Sequence, residues 1–165
     1  MKSLIISDTS PITNLIKIGQ LDLLGRLFGE IIVPKEVYKE LADYEKQKAE
    51  IDKRSWIKII AVRDQEAVAK LNTQLDPGEA EAIILAQELD ANLLIIDERK
   101  GRRIAEGYGL HIIGLLGILV RGKQKGHISE IKPLLNSLMQ EVGFRVSQSL
   151  YEDILREVGE LGKNA

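Results

Sequence analysis

Four acidic residues could carry chemistry together, because an α/β chain can bring them to one place. They are Asp8 in IISDTS, Glu40 in VPKEVYKEL, Glu79 in DPGEAEAI and Asp97 in LLIIDER. Asp8 and Asp97 directly follow short apolar runs typical of buried parallel strands, and parallel sheets bind ligands outside the carboxyl ends of their strands. Carboxylates gathered there repel one another and lose hydration unless a cation lies among them. Their hard oxygens suit Mg²⁺ or Mn²⁺, so the pattern predicts a metal-dependent enzyme acting on phosphates.

Both aspartates have an ordinary structural alternative, which is to cap the helix that follows. Ser10 before Pro11 is typical of an N-cap and a first helical residue, and this leaves Asp8 free for a functional role. Asp97 could cap a helix that begins near Arg99. Its place after an apolar run would nevertheless bring it beside Asp8 if their two strands are neighbours.

The glutamates are harder to assign from the residues alone. Glu40 flanks an apolar helix stripe and so points near the core, but a solvated helix face is equally compatible with its position. Asp76, Pro77 and Glu79 form a near capping box, which gives Glu79 a structural role. Glu81 lies about 200° round the helix from Glu79, so only one of the two can face a common site. The residue pattern does not choose between them.

A basic stretch follows the last of the four acids. Its cations are Arg99, Lys100, Arg102, Arg103, Arg121, Lys123, Lys125 and Lys132, and only Glu106 and Glu130 oppose them. Phosphate contacts supply affinity without reading sequence, so a basic arc beside an acidic centre suits a polyphosphate backbone. A solvated surface is an equally good interpretation for any single one of these residues.

Composition limits the classes to which the chain can belong. A length of 165 residues and an apolar content of 44% predict a single globular domain over residues 1–165. A net charge of −2 argues against a globally basic nucleic-acid binder, and the lack of cysteine excludes disulfides, zinc–thiolate sites and thiol nucleophiles. The longest uncharged apolar stretch, 110–120, is too short to span a bilayer, and the start lacks the apolar core of a signal peptide. We therefore expect a cytoplasmic protein.

The elements that must position the acids alternate along the chain. Strands are predicted at 2–7, 31–33, 56–62 (an edge strand), 92–96 (a central strand) and 109–113. Helices are predicted from Ser10, at 21–28, 34–52, 64–71, from Asp76, at 99–106, 114–123, 129–141 and about 148–160. This alternation predicts a three-layer α/β/α fold with a central, mostly parallel twisted sheet flanked by helices. The last helix is expected to pack on the domain, and residues 162–165 to form a frayed tail.

Three segments carry a family resemblance. They are DTSPITNL near the start, VPKEVYKEL around residue 40, and the run LDPGEAEAIILAQELDANLLIIDERKGRRIAEGYGLHIIGLLGIL. On these segments the chain resembles the PIN-domain ribonucleases, and within them the VapC-like toxins of prokaryotic toxin–antitoxin systems and the PIN-like subgroup called DUF3368. The short D, E and GEA elements are weak signals, but the long run in this order is quite specific. The resemblance extends to about residue 130.

The resemblance implies a PIN-like fold and a ribonuclease dependent on Mg²⁺ or Mn²⁺. Its catalytic and metal-binding residues would be Asp8, Glu40, Glu79 and Asp97. The 18-residue step from Glu79 to Asp97 fits the family spacing and favours Glu79 over Glu81. Asp8 and Asp97 would bind the metal most directly, and the two glutamates would complete the site through waters or a second ion.

The resemblance also has implications for substrate and partners. Ser10 matches the family's small hydroxyl residue near the first aspartate, and the basic residues just after Asp97 are candidates for holding the RNA backbone. The predicted substrate-binding set is Ser10, Arg99, Lys100, Arg102 and Arg103. VapC-like proteins commonly form homodimers and are inhibited by a small antitoxin protein, so both partners are expected here.

Two alternative functions remain open on the sequence. In the first, the acids are structural and the chain is a catalytically silent module that binds RNA or protein. In the second, it is an Asp-based phosphoryl-transfer domain with Asp8 as acceptor or nucleophile. The second alternative lacks a DxD around Asp8, and Arg99 or Lys100 would have to replace its usual lysine.

Overall fold

The computed structural model describes residues 3–162 and is built around a five-stranded sheet. The strands are β1 (Ile5–Ser7), β2 (Ile31–Pro34), β3 (Ile57–Ile60), β4 (Leu93–Ile95) and β5 (Ile112–Ile113). Their order across the sheet is β3-β2-β1-β4-β5, and every neighbouring pair is parallel. The predicted parallel sheet is therefore confirmed, with β3 as an edge strand and β4 inside the sheet. The predicted start of the first strand at Lys2 lies outside the described residues.

Helices connect the strands and cover the sheet. They are α1 (Thr9–Lys17), α2 (Asp22–Phe28), α3 (Lys35–Ala42), α4 (Glu45–Asp52), α5 (Gln65–Leu71), α6 (Pro77–Glu88), α7 (Arg99–Gly107), α8 (Leu115–Gln124), α9 (Lys132–Ser137) and α10 (Gln148–Glu157). A π-helical turn, Leu138–Val142, continues α9. Across residues 3–162, none of these helices is long and apolar enough to cross a bilayer.

The strands bury alternate residues on opposite faces, which creates two core layers. Ile5, Ile31 and Ile95 face one layer, together with apolar residues of α1, α2, α3, α8 and α10. Ile6 and Leu94 face the other layer, which is formed by α5, α6 and α7. This alternation is the normal consequence of the two-residue period of a strand. The predicted three-layer α/β/α architecture is confirmed.

The helix predicted over 34–52 is wrong, because the structure contains two helices there. Helix α3 ends at Ala42, and Tyr44 adopts an extended backbone before α4 begins. In one continuous helix Tyr44 would extend the apolar stripe formed by Val37 and Leu41, but its side chain is 67% exposed. Only Ile51 of α4 is buried, so the apolar stripe of α3 does not continue and the chain can turn.

The helix predicted over 129–141 begins later than expected, although its helical backbone continues through the π-helical turn to Val142. It begins at Lys132 with Pro133 in its first turn, as predicted, because proline lacks the N–H that a first turn leaves unpaired. The predicted frayed tail lies outside the described residues except for Gly162, and α10 buries Ile154 and Leu155 in the first core layer.

The sheet register brings the carboxyl ends of β1 and β4 side by side. Ser7 pairs with Ile95, and the Asp8 N–H donates to the Ile95 carbonyl at 2.9 Å. Asp8 and Asp97 therefore leave neighbouring strands at the same edge of the sheet. Backbone pairing alone fixes this neighbourhood.

Candidate metal centre

Asp8 stands at the N-cap position of α1, but its side chain makes no capping hydrogen bond. The predicted N-cap Ser10 and first helical residue Pro11 are therefore wrong, since Thr9 begins the helix. The Asp8 side chain is buried, with only 4% exposed. Burial and the charges of nearby carboxylates together raise its pKa to about 7, although the hydrogen bond from the Thr9 N–H partly lowers it. Asp8 is therefore partly protonated near pH 7 in the absence of a cation, and a bound cation would displace that proton.

Asp97 bonds to the start of a distant helix rather than capping the next one. Its Oδ1 accepts the Leu115 N–H at 2.8 Å, whereas Glu98 caps α7. Its Oδ2 is buried and has no hydrogen-bond partner among the described residues. Burial raises the pKa of Asp97, and the Leu115 N–H and the Arg102 charge only partly offset this effect. One oxygen is thus fixed and the other remains available to a ligand.

Glu40 is held between two other elements, so the solvated-face interpretation does not apply. Its Oε2 accepts a hydrogen bond from the Thr9 hydroxyl, and its Oε1 accepts the Gly78 N–H at 3.1 Å. A Cβ at position 78 would lie 2.5 Å from Oε1, so glycine permits this approach. Burial raises the pKa of Glu40 and the Thr9 hydroxyl lowers it. The sequence analysis missed Thr9, which had no local signal.

Glu79 combines the structural and functional interpretations in one side chain. The predicted capping box is confirmed, because the Glu79 N–H donates to Asp76 Oδ1 at 2.9 Å and the Asp76 N–H donates to Glu79 Oε1 at 3.4 Å. The second oxygen, Oε2, is buried without a hydrogen-bond partner among the described residues. A Cβ at Gly101 would lie 2.8 Å from it. Burial raises the pKa of Glu79, as do Asp76 and Asp8.

Glu81 is also buried, but it has a different role. Its Oε1 accepts the Glu36 N–H at 3.0 Å in the first turn of α3. Helix α6 thus stabilises the start of α3, the helix that carries Glu40. The charge of Asp8 raises the pKa of Glu79, which places that glutamate near Asp8.

Asp76 is a fifth carboxylate that the sequence analysis treated only as an N-cap. Its charge raises the pKa of Asp8, Glu40 and Glu79, and for each of them this effect is larger than that of any other carboxylate charge. The aspartate therefore contributes to the negative field of the group. Its capping signal concealed this contribution, because the two roles use the same residue.

We call Asp8, Glu40, Glu79 and Asp97 the acidic site. Within residues 3–162, no three potential ligand side chains lie close enough together to hold an ion by themselves. Mg²⁺ commonly binds through one or two carboxylates and completes its shell with waters and substrate phosphates. The two unpartnered buried oxygens, on Glu79 and Asp97, and the four burial-raised pKa values fit such a hard cation. The donor set therefore fits Mg²⁺ or Mn²⁺ without a complete protein cage.

The predicted basic residues are divided between two environments. Arg99, Arg102 and Arg103 line a groove of about 820 Å³ whose wall includes Asp97, and we call it the arginine groove. Lys100 is exposed and lies outside the lining. Ser10 is exposed as well, and within the described residues no hydrogen bond joins its side chain to the acidic site.

Comparison with known proteins identifies the family. The chain matches no curated protein and no solved structure. A family model, DUF3368, described as a PIN domain, matches residues 4–160 and so includes the whole acidic site. PIN domains are generally nucleases and typically use divalent metals. The chain belongs to the PIN-domain family DUF3368.

Proposed function

We propose that this protein is an Mg²⁺- or Mn²⁺-dependent endoribonuclease that hydrolyses RNA phosphodiester bonds, and that it is the VapC-like toxin of a toxin–antitoxin pair. One observation carries the proposal. Burial raises the pKa of four acids from four separate segments, and the charges of Glu40 and Asp97 also raise the pKa of Asp8, at the carboxyl end of a parallel strand. Family membership supports a nuclease fold.

The chain's own residues have distinct parts in this proposal. Asp8 and Asp97 would hold the cation most directly, with Asp8 giving up its proton on binding, and the free oxygen of Glu79 would complete the site through a bound water. Bound there, the metal would lower the pKa of a water and neutralise charge on the attacked phosphate. Glu40 accepts hydrogen bonds from the Thr9 hydroxyl and the Gly78 N–H, so it would complete the metal site through a bound water.

The test combines metal binding with RNA cleavage. Thermal melting is followed during Mg²⁺ and Mn²⁺ titration for the wild type, Asp8→Asn and Asp97→Asn, and cleavage of labelled RNA is measured in parallel. Asp153→Asn is the matched control, since it removes the same charge from an exposed surface pair with Arg156. Metal stabilisation and cleavage lost in both site variants but kept in the control would establish the function. Full cleavage by metal-saturated, folded Asp8→Asn would exclude it.

One observation favours a second candidate, the silent binding module. No three ligand side chains converge on a single point within residues 3–162. This module would bind RNA with the same affinity in EDTA, and neither Mg²⁺ nor Mn²⁺ would change its melting temperature.

The expected partners and location are part of the same proposal. The homodimer is tested by the mass of the purified protein in light scattering. The antitoxin is tested by whether a small protein encoded beside this chain inhibits cleavage. The cytoplasmic location stays a prediction.

A further inference from the structure

The arginine groove lies beside the acidic site and joins distant parts of the chain. Helix α7 contributes Arg99, Arg102 and Arg103, and the segment that leads into α10 contributes Phe144 and Arg145. Leu150, from the first turn of α10, also lines the groove. The sequence motifs singled out none of the residues from this C-terminal segment.

The charges of the groove favour an anion. Four arginines line it, against the two acids Asp97 and Glu106. Arg99, Arg103 and Arg145 are exposed, and none of them forms a salt bridge among the described residues. A guanidinium presents a planar fork of donors that matches phosphate oxygens, and it is less strongly hydrated than an ammonium group.

The groove also has an apolar wall. Phe144 is half-buried and Leu150 is 43% exposed, which makes it one of the few large apolar side chains on the described surface. Ile112 and Leu116 line the same groove. A volume of about 820 Å³ is comparable to small-molecule pockets of roughly 300–1,000 Å³, so the groove is large enough to hold a nucleotide.

Together, arginines and apolar side chains in one groove match an unpaired nucleotide. Backbone phosphates suit the arginines, and an unstacked base suits an aromatic and aliphatic wall. Bases within a duplex are paired and stacked, so they cannot enter such a wall. We infer that the arginine groove binds a single-stranded RNA nucleotide next to the cleaved phosphate, with Arg145 on the backbone and Phe144 with Leu150 on the base. This inference rests on the proposed ribonuclease function.

The experiment measures binding without cleavage. Fluorescence anisotropy in EDTA follows a labelled single-stranded RNA of about eight nucleotides, the same RNA annealed as a duplex, and a polyglutamate peptide. The variants are Arg145→Ala, Phe144→Leu and Leu150→Ser. Arg26→Ala is the charge-matched control, because Arg26 is exposed on α2 outside the groove.

We expect each groove variant to weaken single-strand binding, by roughly tenfold for Phe144→Leu, while Arg26→Ala binds as the wild type does. Phe144→Trp should retain affinity, because it restores an aromatic face. Arg145→Ala should also reduce the slope of log affinity against log salt by about 0.7. Since Phe144 packs partly against the core, Leu150→Ser provides a surface variant whose folding is not in doubt.

Two results would overturn the inference. One is single-strand affinity unchanged in all three groove variants. The other is polyglutamate bound more tightly than RNA and released by the same variants, which would make the groove a site for an acidic peptide. Cleavage assays separate this failure from that of the nuclease proposal. If the groove variants cleave RNA and bind it as the wild type does, only the groove inference is rejected. If RNA binding depends on the groove but no metal-dependent cleavage is found, only the nuclease proposal is rejected.

Discussion

The acidic site and the arginine groove meet at Asp97, and they differ in how their side chains are held. In the acidic site, Glu40 is held by Thr9 and Gly78, and Asp97 by the Leu115 N–H. In the groove, Arg99 and Arg103 are exposed and make no salt bridge among the described residues. The fold fixes Glu40 and Asp97, whereas Arg99 and Arg103 remain solvated.

Because their side chains are held differently, the two regions should respond differently to substitution. Burying carboxylates costs free energy, and the cost appears as raised pKa values that a bound cation would reverse. Exposed arginines cost little, but salt screens them within about 8–10 Å at physiological ionic strength. We therefore expect sharp, geometry-dependent effects in the acidic site and small, additive, salt-dependent effects in the groove.

The largest expected effect is the loss of cleavage in Asp8→Asn. On its proposed role as a metal ligand, loss of the Asp8 carboxylate should lower kcat/KM by roughly a thousandfold, or about 4 kcal/mol of transition-state stabilisation. Steady-state cleavage of a fluorogenic RNA at saturating Mg²⁺ measures it. A groove variant that lost as much activity as Asp8→Asn would contradict the expectation that substitutions in the groove have small effects.

The second effect is on the pH dependence of the metal-free protein. The pKa of Asp8 is about 7 in the folded state against 3.8 as its ordinary value, so folding is favoured by the protonated form. This stabilisation is complete below pH 3.8 and is lost as the pH rises to about 7. The free energy of unfolding should fall by about 1.4 kcal/mol per pH unit from this one group.

Urea unfolding in EDTA between pH 4 and pH 7 measures that slope. Asp8→Asn should make the slope smaller, although Glu40, Glu79 and Asp97 with their own raised pKa values still contribute to it. The variant should be more stable than the wild type at pH 7 without metal. Equal slopes for the two proteins would contradict the burial argument for Asp8.

A third prediction concerns the close approach of α6 to Glu40. Gly78→Ala would place a Cβ 2.5 Å from Glu40 Oε1, so we expect a loss of about 1–3 kcal/mol in stability and weaker metal binding. Gly107→Ala is the control, since a Cβ there meets nothing within 4 Å. Thermal melting with and without Mg²⁺ measures both variants. If the two alanines behave alike, Glu40 does not require this packing.

A fourth prediction tests Glu81, which supports the acidic site from outside. Glu81→Ala leaves the partly buried Glu36 N–H without its acceptor, at a cost of about 1 kcal/mol. Glu81→Gln keeps an acceptor oxygen and should restore most of that stability. Cleavage should fall less than in Asp8→Asn, because Glu81 acts through α3. Complete inactivation of folded Glu81→Gln would place Glu81 in the chemistry instead.

The smallest expected effect distinguishes two neighbouring cations of α7. Arg103 lines the groove and Lys100 does not, although both are exposed. Arg103→Ala should weaken RNA binding by about 1 kcal/mol at low salt and less at high salt, and Lys100→Ala should change it less. Anisotropy titrations across salt concentrations measure both. A larger loss for Lys100→Ala would mean that RNA follows another path.

Much of the fold follows from local patterns. The apolar runs before Asp8 and Asp97 predicted parallel strands, and the register of β1 with β4 confirms that they are neighbours. The capping box at Asp76 and Glu79 was predicted and is confirmed, because its partners are three residues apart. The errors at Ser10 and Tyr44 have one cause. Both positions fit a helical pattern locally, and packing shifted the helix ends.

Local sequence patterns are enough to predict the alternation of strands and helices, and this alternation sets the edge of the sheet at which Asp8 and Asp97 emerge. Only the tertiary structure decided how the acidic site is held. Thr9 reaches Glu40 across 31 residues, Gly78 across 38, and Glu81 reaches Glu36 across 45. Local spacing sets the face on which a residue lies, but partners at such separations depend on how whole helices pack. The same packing brings the C-terminal segment to the arginine groove.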